Sequence, residues 1–112
     1  MNVTSASPRV TSHINAKLTS ASSGSNEIVA AVAGVRYRVL AVVAVTTLAN
    51  SIKFLSAATD ISATFPLGAN GGLVLPFNEH GWFETAAGEA LNINLSVATS
   101  TGVQLQYVRL LG

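Results

Sequence analysis

The chain has no cysteine and very little charge, and each absence excludes a class of protein. Without cysteine there is no disulfide framework, no thiolate nucleophile and no cysteine-based zinc site. Charged residues make up 10% of the chain, against about 25% in typical soluble domains. The net charge of +1 indicates no basic surface of the kind that binds nucleic acid. We therefore expect no nucleic-acid partner.

Long apolar runs are also missing, although the chain is apolar on average. The mean hydropathy is +0.48, yet the longest uninterrupted apolar run, Val39–Val45, has only seven residues. A membrane-spanning helix needs roughly 20, so the sequence predicts no membrane partner. The remaining explanation for such an apolar small domain is an assembly that hides apolar surface between subunits, and we favour it.

The first 25 residues differ in composition from the rest of the chain. They are rich in Ser, Thr, Ala and Asn, a composition that cannot build a core by itself. Within them Val10 and Ile14 fall on one face of an alternating pattern. We predict an extended N-terminal arm over residues 1–25, able to add an edge strand and hinged at residues 20–25. A β-sandwich domain over residues 26–112 follows it.

From residue 26 onward the pattern is one of short strands and turns, without helical spacing. Apolar and polar residues alternate in Leu91–Val97 and Val103–Tyr107, as expected of half-exposed antiparallel strands. Gly68–Gly72 is a strong turn signal. Several short strands at close spacing favour an all-β antiparallel sandwich. About eight core strands would suit a jelly-roll-like fold.

The longest predicted strand, Arg36–Leu48, is apolar on both faces in its middle. A strand buried on both faces needs a covering layer on each side, and the sequence shows no helix to supply one. We therefore predict that another subunit or the N-terminal arm covers the second face, and we favour a subunit. The predicted oligomer interface is formed by the even-numbered side chains Leu40, Val42 and Ala44.

Three of the five acidic residues fall between residues 79 and 96, with one of the two histidines and the only tryptophan. The candidates for an acid–base pair, which needs two nearby groups with separated pKa values, are Glu79, His80, Glu84 and Glu89. The first two stand in the turn sequence NEHG and Glu89 follows a second turn, so a structural role is favoured. The two histidines lie far apart in the sequence. We predict no enzyme activity, no catalytic residue, no cofactor and no metal site.

Four motifs in a fixed order resemble a small structural module of tailed bacteriophages. They are GVRYRVLAVVAV at Gly34–Val45, LGANGG at Leu67–Gly72, GWFET at Gly81–Thr85 and AGEALNINLS at Ala87–Ser96. The resemblance covers roughly residues 27–110. It implies an antiparallel jelly-roll-like sandwich, often trimeric and without enzyme activity.

The resemblance also implies a function in the virion. The chain is expected to be a capsid decoration (cement) protein, assembled in the host cytoplasm, that forms a homotrimer on the capsid surface and binds the major capsid protein. It would stabilise the capsid by contacting neighbouring capsid subunits over a large area, and not by catalysing a reaction, because each trimer spans several of them. We predict that the N-terminal arm anchors it by added-strand pairing through Val10, Ile14 and Leu18.

The alternative function is a tail or fibre module that recognises a host surface glycan, because similar domains also occur in tail and fibre proteins. This hypothesis requires aromatic side chains at exposed loop tips. The candidates for ligand contact are Tyr37, His80 and Trp82. Packing in the core is the competing interpretation for a lone tryptophan.

Overall fold

Two antiparallel β-sheets pack face to face and enclose the core. A computed structural model describes residues 13–111. In that range the regular secondary structure consists of β-strands alone. The strands are β1 (Ile14–Ser20), β2 (Gly24–Val29), β3 (Val35–Thr46), β4 (Asn50–Ser56), β5 (Thr59–Asp60), β6 (Phe65–Leu67), β7 (Gly72–Leu75), β8 (Phe83–Glu84), β9 (Leu91–Leu95) and β10 (Thr101–Leu111).

The order of the strands is that of a jelly roll. Sheet A has the order β1-β10-β3-β7, with β8 also paired to β3. Sheet B has the order β2-β9-β4-β5, with β6 also paired to β4. Eight main strands therefore form two four-stranded layers, and β5 and β8 are two-residue additions. This arrangement confirms the predicted all-β, jelly-roll-like sandwich.

The core is formed by the side chains that the central strands turn toward the opposite sheet. Phe54 of β4 stacks on Phe83 of β8 with 4.9 Å between ring centroids, which joins the two sheets. Tyr37 and Tyr107 meet edge to face at 5.3 Å, a geometry that aromatic pairs prefer. The buried apolar cluster consists of Val35, Tyr37, Val39, Val42, Ala44, Ile52, Phe54, Leu91, Ile93, Leu95, Val103, Leu105 and Tyr107.

β3 changes its inward face halfway along its length. Gln106 of β10 pairs with Ala41, and the next residue, Tyr107, pairs with Val39, so the register passes over Leu40. This extra residue is a β-bulge. Before the bulge the odd-numbered side chains of β3 are buried, and after it the even-numbered ones are. The bulge therefore explains why Val39 and the even-numbered residues from 40 to 44 are apolar, and it leaves Val43 and Val45 as apolar side chains on the outer face.

The bulge also overturns the predicted oligomer interface. Leu40, Val42 and Ala44 are 2%, 1% and 0% exposed in the single chain. All three are buried within the single chain, Val42 and Ala44 in the core cluster, so no second subunit is needed to cover them. The side chains that this half of β3 turns outward include Val43 and Val45 instead.

The first described residues belong to the sandwich and not to a separate arm. β1 pairs with β10 along its whole length, and β2 pairs with β9, so the predicted boundary after residue 25 falls inside a strand. Ile14 and Leu18 are partly buried against the core, so these side chains pack within the chain and do not form a free anchor for a capsid protein. The predicted edge strand is present, because β1 is an edge of sheet A. Val10 lies outside the described residues.

The connection between β1 and β2 is fixed by hydrogen bonds, although the sequence predicted a hinge at residues 20–25. Ser20 Oγ donates to Asn26 Oδ1 at 2.8 Å. Asn26 Nδ2 donates to the carbonyl oxygens of Ser22 and Gly24 at 2.9 and 3.1 Å. One asparagine side chain thus closes the turn that carries the chain from sheet A to sheet B.

Candidate functional site

Glu84 belongs to an ion-pair network and not to an acid–base pair. Arg36 Nη1 donates to Glu84 Oε2 at 2.9 Å, and Arg38 Nε donates to Oε1 at 3.0 Å. Both arginines lie on the outward side of β3, and Glu84 stands opposite Arg38 on β8. The hydrogen bond from Arg36 lowers the pKa of Glu84 from its ordinary value of 4.5, against the opposing effect of burial. A carboxylate held ionised in this way is a poor proton donor at neutral pH.

Glu89 and Ser56 form a second fixed contact, which attaches the turn before β9 to the end of β4. Ser56 Oγ donates to Glu89 Oε1 and accepts a hydrogen bond from the Ala86 N–H at 2.9 Å. The serine is buried, and its hydroxyl both donates and accepts a hydrogen bond. Glu84 and Glu89 do line one shallow cleft, together with Arg36. Both carboxylates already accept hydrogen bonds from neighbouring side chains. We therefore interpret the cleft as a place where β3, β4 and the turn before β9 are held together.

Glu79 and His80 lie in an exposed turn, as the NEHG sequence predicted. The His80 N–H donates to Asn78 Oδ1 at 3.0 Å, and the Gly81 N–H donates to the Asn78 carbonyl at 2.9 Å. Neither Glu79 nor His80 lines the cleft that contains Glu89. In the described part of the chain, no three histidine or acidic side chains are grouped so that they could hold a metal ion.

The three aromatic candidates for ligand contact do not form one site. Tyr37 is a core residue, and its hydroxyl donates to the Ala30 carbonyl at 2.6 Å. Trp82 is exposed, and its indole N–H donates to the Pro76 carbonyl at 2.8 Å, which fixes the orientation of the ring. His80 is exposed in the same loop. Only Trp82 and His80 therefore remain as candidates.

The loop of residues 76–82 presents a further aromatic side chain that the sequence did not identify as a candidate. Phe77 is exposed, and its ring centroid lies 5.7 Å from that of His13. The loop is attached to β3, because the N–H groups of Asn78 and Trp82 donate to β3 carbonyls at 2.9 and 2.8 Å. Phe77 continues the apolar alternation of Leu73 and Leu75 in β7, so the local sequence pattern does not indicate that its side chain is exposed.

A row of valine side chains is exposed on the outer face of sheet A. Val43, Val45 and Val74 are 49%, 52% and 66% exposed. Val43 and Val74 are cross-strand partners. Val45 pairs with Gly72 on one side and Gly102 on the other, and neither glycine has a side chain to cover it. Val43, Val45 and Val74 are called the valine face below.

Uncharged amide side chains adjoin the valine face. Gln104 of β10 is the partner of Val43, and on its other side it pairs with Lys17 of β1. Gln106 pairs in the same way with Asn15. A shallow depression of about 410 Å³ runs between these side chains and β3. This half of the outer face therefore offers apolar contact together with neutral hydrogen-bonding groups.

The outer face of sheet B is polar by contrast. Its outward positions on β2, β9 and β4 include Glu27, Asn92, Asn94 and Lys53. Lys53 Nζ lies 3.1 Å from Asp60 Oδ1. The two outer faces of the sandwich thus differ in chemistry, and the face of sheet A is the candidate contact surface.

No protein-family model matches the sequence, and no curated protein matches it either. Among the described residues, no helix is long and apolar enough to span a membrane. The function must therefore be inferred from the geometry of the exposed surfaces and from the sequence motifs.

Proposed function

We propose that the chain is a virion structural protein, a capsid decoration protein that forms a homotrimer and binds the major capsid protein at the capsid surface. The observation that carries the proposal is the valine face. Three neighbouring exposed valines on a sheet face with little charge support a surface that is buried against another protein. The four sequence motifs supply the phage context.

In the proposed mechanism the chain stabilises the capsid through the area of its contacts, and the rigid β-sandwich holds the contact surfaces in place. Burial of apolar surface contributes about 25 cal/mol per Å², so modest contacts become strong when a shell repeats them many times. The side chains that looked chemically reactive have a different role in this mechanism. The Arg36–Glu84 ion pair fixes β8 to β3, and the Ser56–Glu89 hydrogen bond fixes the following turn to β4.

The attachment to the capsid protein is assigned to an edge of sheet A. Ile14 and Leu18 face the core, but the backbone of β1 forms the outer edge of its sheet. An exposed edge strand can pair with an added strand from a partner through main-chain hydrogen bonds. The contact proposed for Val10 stays a prediction, because that residue lies outside the described part of the chain.

Immunogold electron microscopy tests the proposed location. Antibodies raised against the purified chain are applied to phage particles from a host that carries the gene. Label distributed over the whole head supports the decoration proposal. Label confined to the tail or fibres contradicts it and supports the second candidate described below. Particles without label contradict both.

A second candidate function, binding of a host surface glycan, is favoured by the loop of residues 76–82. Phe77 and Trp82 are both exposed there, on a backbone fixed to β3. Aromatic side chains supply large contact area at little cost in conformational entropy. Because the Trp82 indole N–H is already bonded to Pro76, the ring contributes its face, which suits stacking on a sugar ring.

A substitution of Trp82 separates this candidate from the first. Trp82 is 42% exposed and Val97 is 41% exposed, so Trp82→Ala and Val97→Ala remove similarly exposed apolar groups from different loops. Binding of purified host surface polysaccharide is measured by isothermal titration calorimetry. Loss of binding in Trp82→Ala alone supports the glycan site. Equal binding by both variants, or no binding by the wild type, contradicts it.

A further inference from the structure

We infer that the valine face is the surface through which copies of this chain contact one another, and that the contact includes the uncharged edge of the sandwich beside β7. The inference rests on the proposed function for the idea of self-assembly. It adds which surface makes the contact, that a second copy of the chain is the partner, and how the copies are arranged. Neither the motifs nor the fold assigns these. It also replaces the interface that the sequence predicted at Leu40, Val42 and Ala44.

The charges around the valine face select an uncharged partner. In the two cross-strand rows that contain Val43 and Val45, Lys17 is the one charged residue. A partner with a strongly charged surface would lose the hydration of its charges there without gaining ion pairs. Lys17 lies on the edge strand β1, at the rim of the surface, where its long side chain can keep its ammonium group in water.

The side chains beside the valines suit the uncharged edge beside β7 of a second copy. An amide side chain carries both donors and an acceptor, so Gln104 and Gln106 of one copy can hydrogen-bond to exposed polar groups of that edge, such as Thr64 and Asn70. The valines of one copy can exclude water against the exposed apolar side chains of the same edge. The polar outer face of sheet B, with Glu27 and Lys53, has no such complementarity. A second copy of the chain is thus a chemically matched occupant.

The area of the face shows that the contact must extend beyond it. The whole outer face of this half of sheet A, taken as four strands about 4.8 Å apart over about seven residues with a rise of about 3.3 Å, projects at most roughly 400 Å², and β7 spans only four residues of that length. A stable interface buries about 800 Å² per partner. The adjoining uncharged surface is the edge beside β7, because residues 61–78 contain no charged side chain.

A contact between the face of one copy and the edge of the next has a defined symmetry. The two patches differ, so the contact is heterologous, and such contacts form a ring when the rotation between copies closes. Val74 belongs to both patches, because it points outward from the edge strand β7. Each copy then contributes two contact areas, as a trimeric ring requires.

Sedimentation velocity and equilibrium of Val43→Asp test the inference, with Asn94→Asp as the matched control. Both variants place one carboxylate at an outward position in the middle of a sheet, on opposite sides of the sandwich. We expect the wild type and Asn94→Asp to sediment at three times the 11.5 kDa mass of the chain. We expect Val43→Asp to sediment as a monomer with an unchanged circular dichroism spectrum.

The other outcomes contradict defined parts of the account. If Val43→Asp keeps the wild-type mass, the valine face is not the contact, although the chain still assembles as the proposed function requires. If the wild type is a dimer that Val43→Asp dissociates, the ring is wrong. If the wild type is a monomer, self-assembly fails together with the inference. If Val43→Asp loses its β-sheet spectrum, the measurement is repeated with Val74→Lys, because Val74 is more exposed than Val43. If Val74→Lys then keeps the wild-type mass, the inference is wrong.

Discussion

Val39 and Leu40 are consecutive in β3, yet both side chains are buried, with exposed fractions of 0% and 2%. Consecutive side chains of a regular strand point to opposite faces, so this pair requires the bulge that the register with β10 shows. The bulge divides β3 into a half with outward arginines and a half with outward valines. One strand thereby carries both the ion pairs to Glu84 and most of the valine face.

The bulge predicts opposite outcomes for one substitution at adjacent positions. Val42 lies in the core and Val43 is half exposed. Val42→Asp would bury an unpaired carboxylate at a cost of several kcal/mol, and we expect an unfolded or insoluble chain. Val43→Asp should change the free energy of unfolding of the monomer by less than about 1 kcal/mol. Urea unfolding followed by circular dichroism measures both, and similar losses at the two positions would mean that the bulge is misplaced.

Glu84 should make stability depend on pH in the acidic range. Its pKa is lowered in the folded chain, mainly by the hydrogen bond from Arg36, so the unfolded chain binds the proton more tightly. The resulting stabilisation is present above the ordinary pKa of 4.5 and is lost as the pH falls through the lower pKa of the folded state. The two arginine side chains are 43% and 36% exposed, so solvent screens the ion pairs and we expect about 1 kcal/mol or less.

Glu84→Gln isolates this effect, since it keeps the shape of the side chain and removes its charge. Urea unfolding of the wild type and the variant is compared at pH 7 and at pH 3. The wild type should be the more stable protein at pH 7, and the difference should narrow at pH 3. A difference that is the same at both pH values would show that the charge of Glu84 does not contribute.

Gly81 and Gly24 give a matched test of how the loop of residues 76–82 is held against β3. Both have positive φ angles, 84° and 88°. A Cβ at Gly81 would collide with the Arg38 side chain, whereas one at Gly24 would meet nothing within 4 Å. Gly24→Ala should therefore cost about 1 kcal/mol for its backbone alone. Gly81→Ala should cost about 1 to 3 kcal/mol more, because Arg38 must also move away from Glu84.

Differential scanning calorimetry compares the two glycine variants directly. We expect the melting temperature of Gly81→Ala to fall further than that of Gly24→Ala. Equal falls would mean that Arg38 moves aside without cost, and that its contact with the loop does not stabilise the fold.

Local sequence patterns predicted much of the sandwich. The alternation around Asn92 and Asn94 gave a strand with these side chains outward, and the NEHG sequence gave the turn at Glu79 and His80. The stretch around Glu84 was interpreted as structural because turn signals surround it, and that interpretation stays a prediction. These features depend on neighbouring residues, so a local pattern is sufficient to predict them.

The features that the sequence did not predict depend on distant residues. Apolar residues on both faces of β3 fit either a covering subunit or a bulge, and only the register with β10 shows that a bulge accounts for the burial of Val42 and Ala44 while Val43 stays exposed. The burial of Ile14 and Leu18 likewise depends on pairing with β10 at the other end of the chain. Their segment resembles a free arm in composition, and the pairing makes it a strand of the sandwich.

The copy number of this chain in purified phage particles, relative to the major capsid protein, tests the central claim most directly. Quantitative mass spectrometry of intact particles measures it. The account predicts a copy number comparable to that of the capsid protein, because only the shell offers so many equivalent sites. A copy number far below that of the capsid protein would contradict capsid decoration, and absence of the chain from the particles would contradict a structural role in the virion.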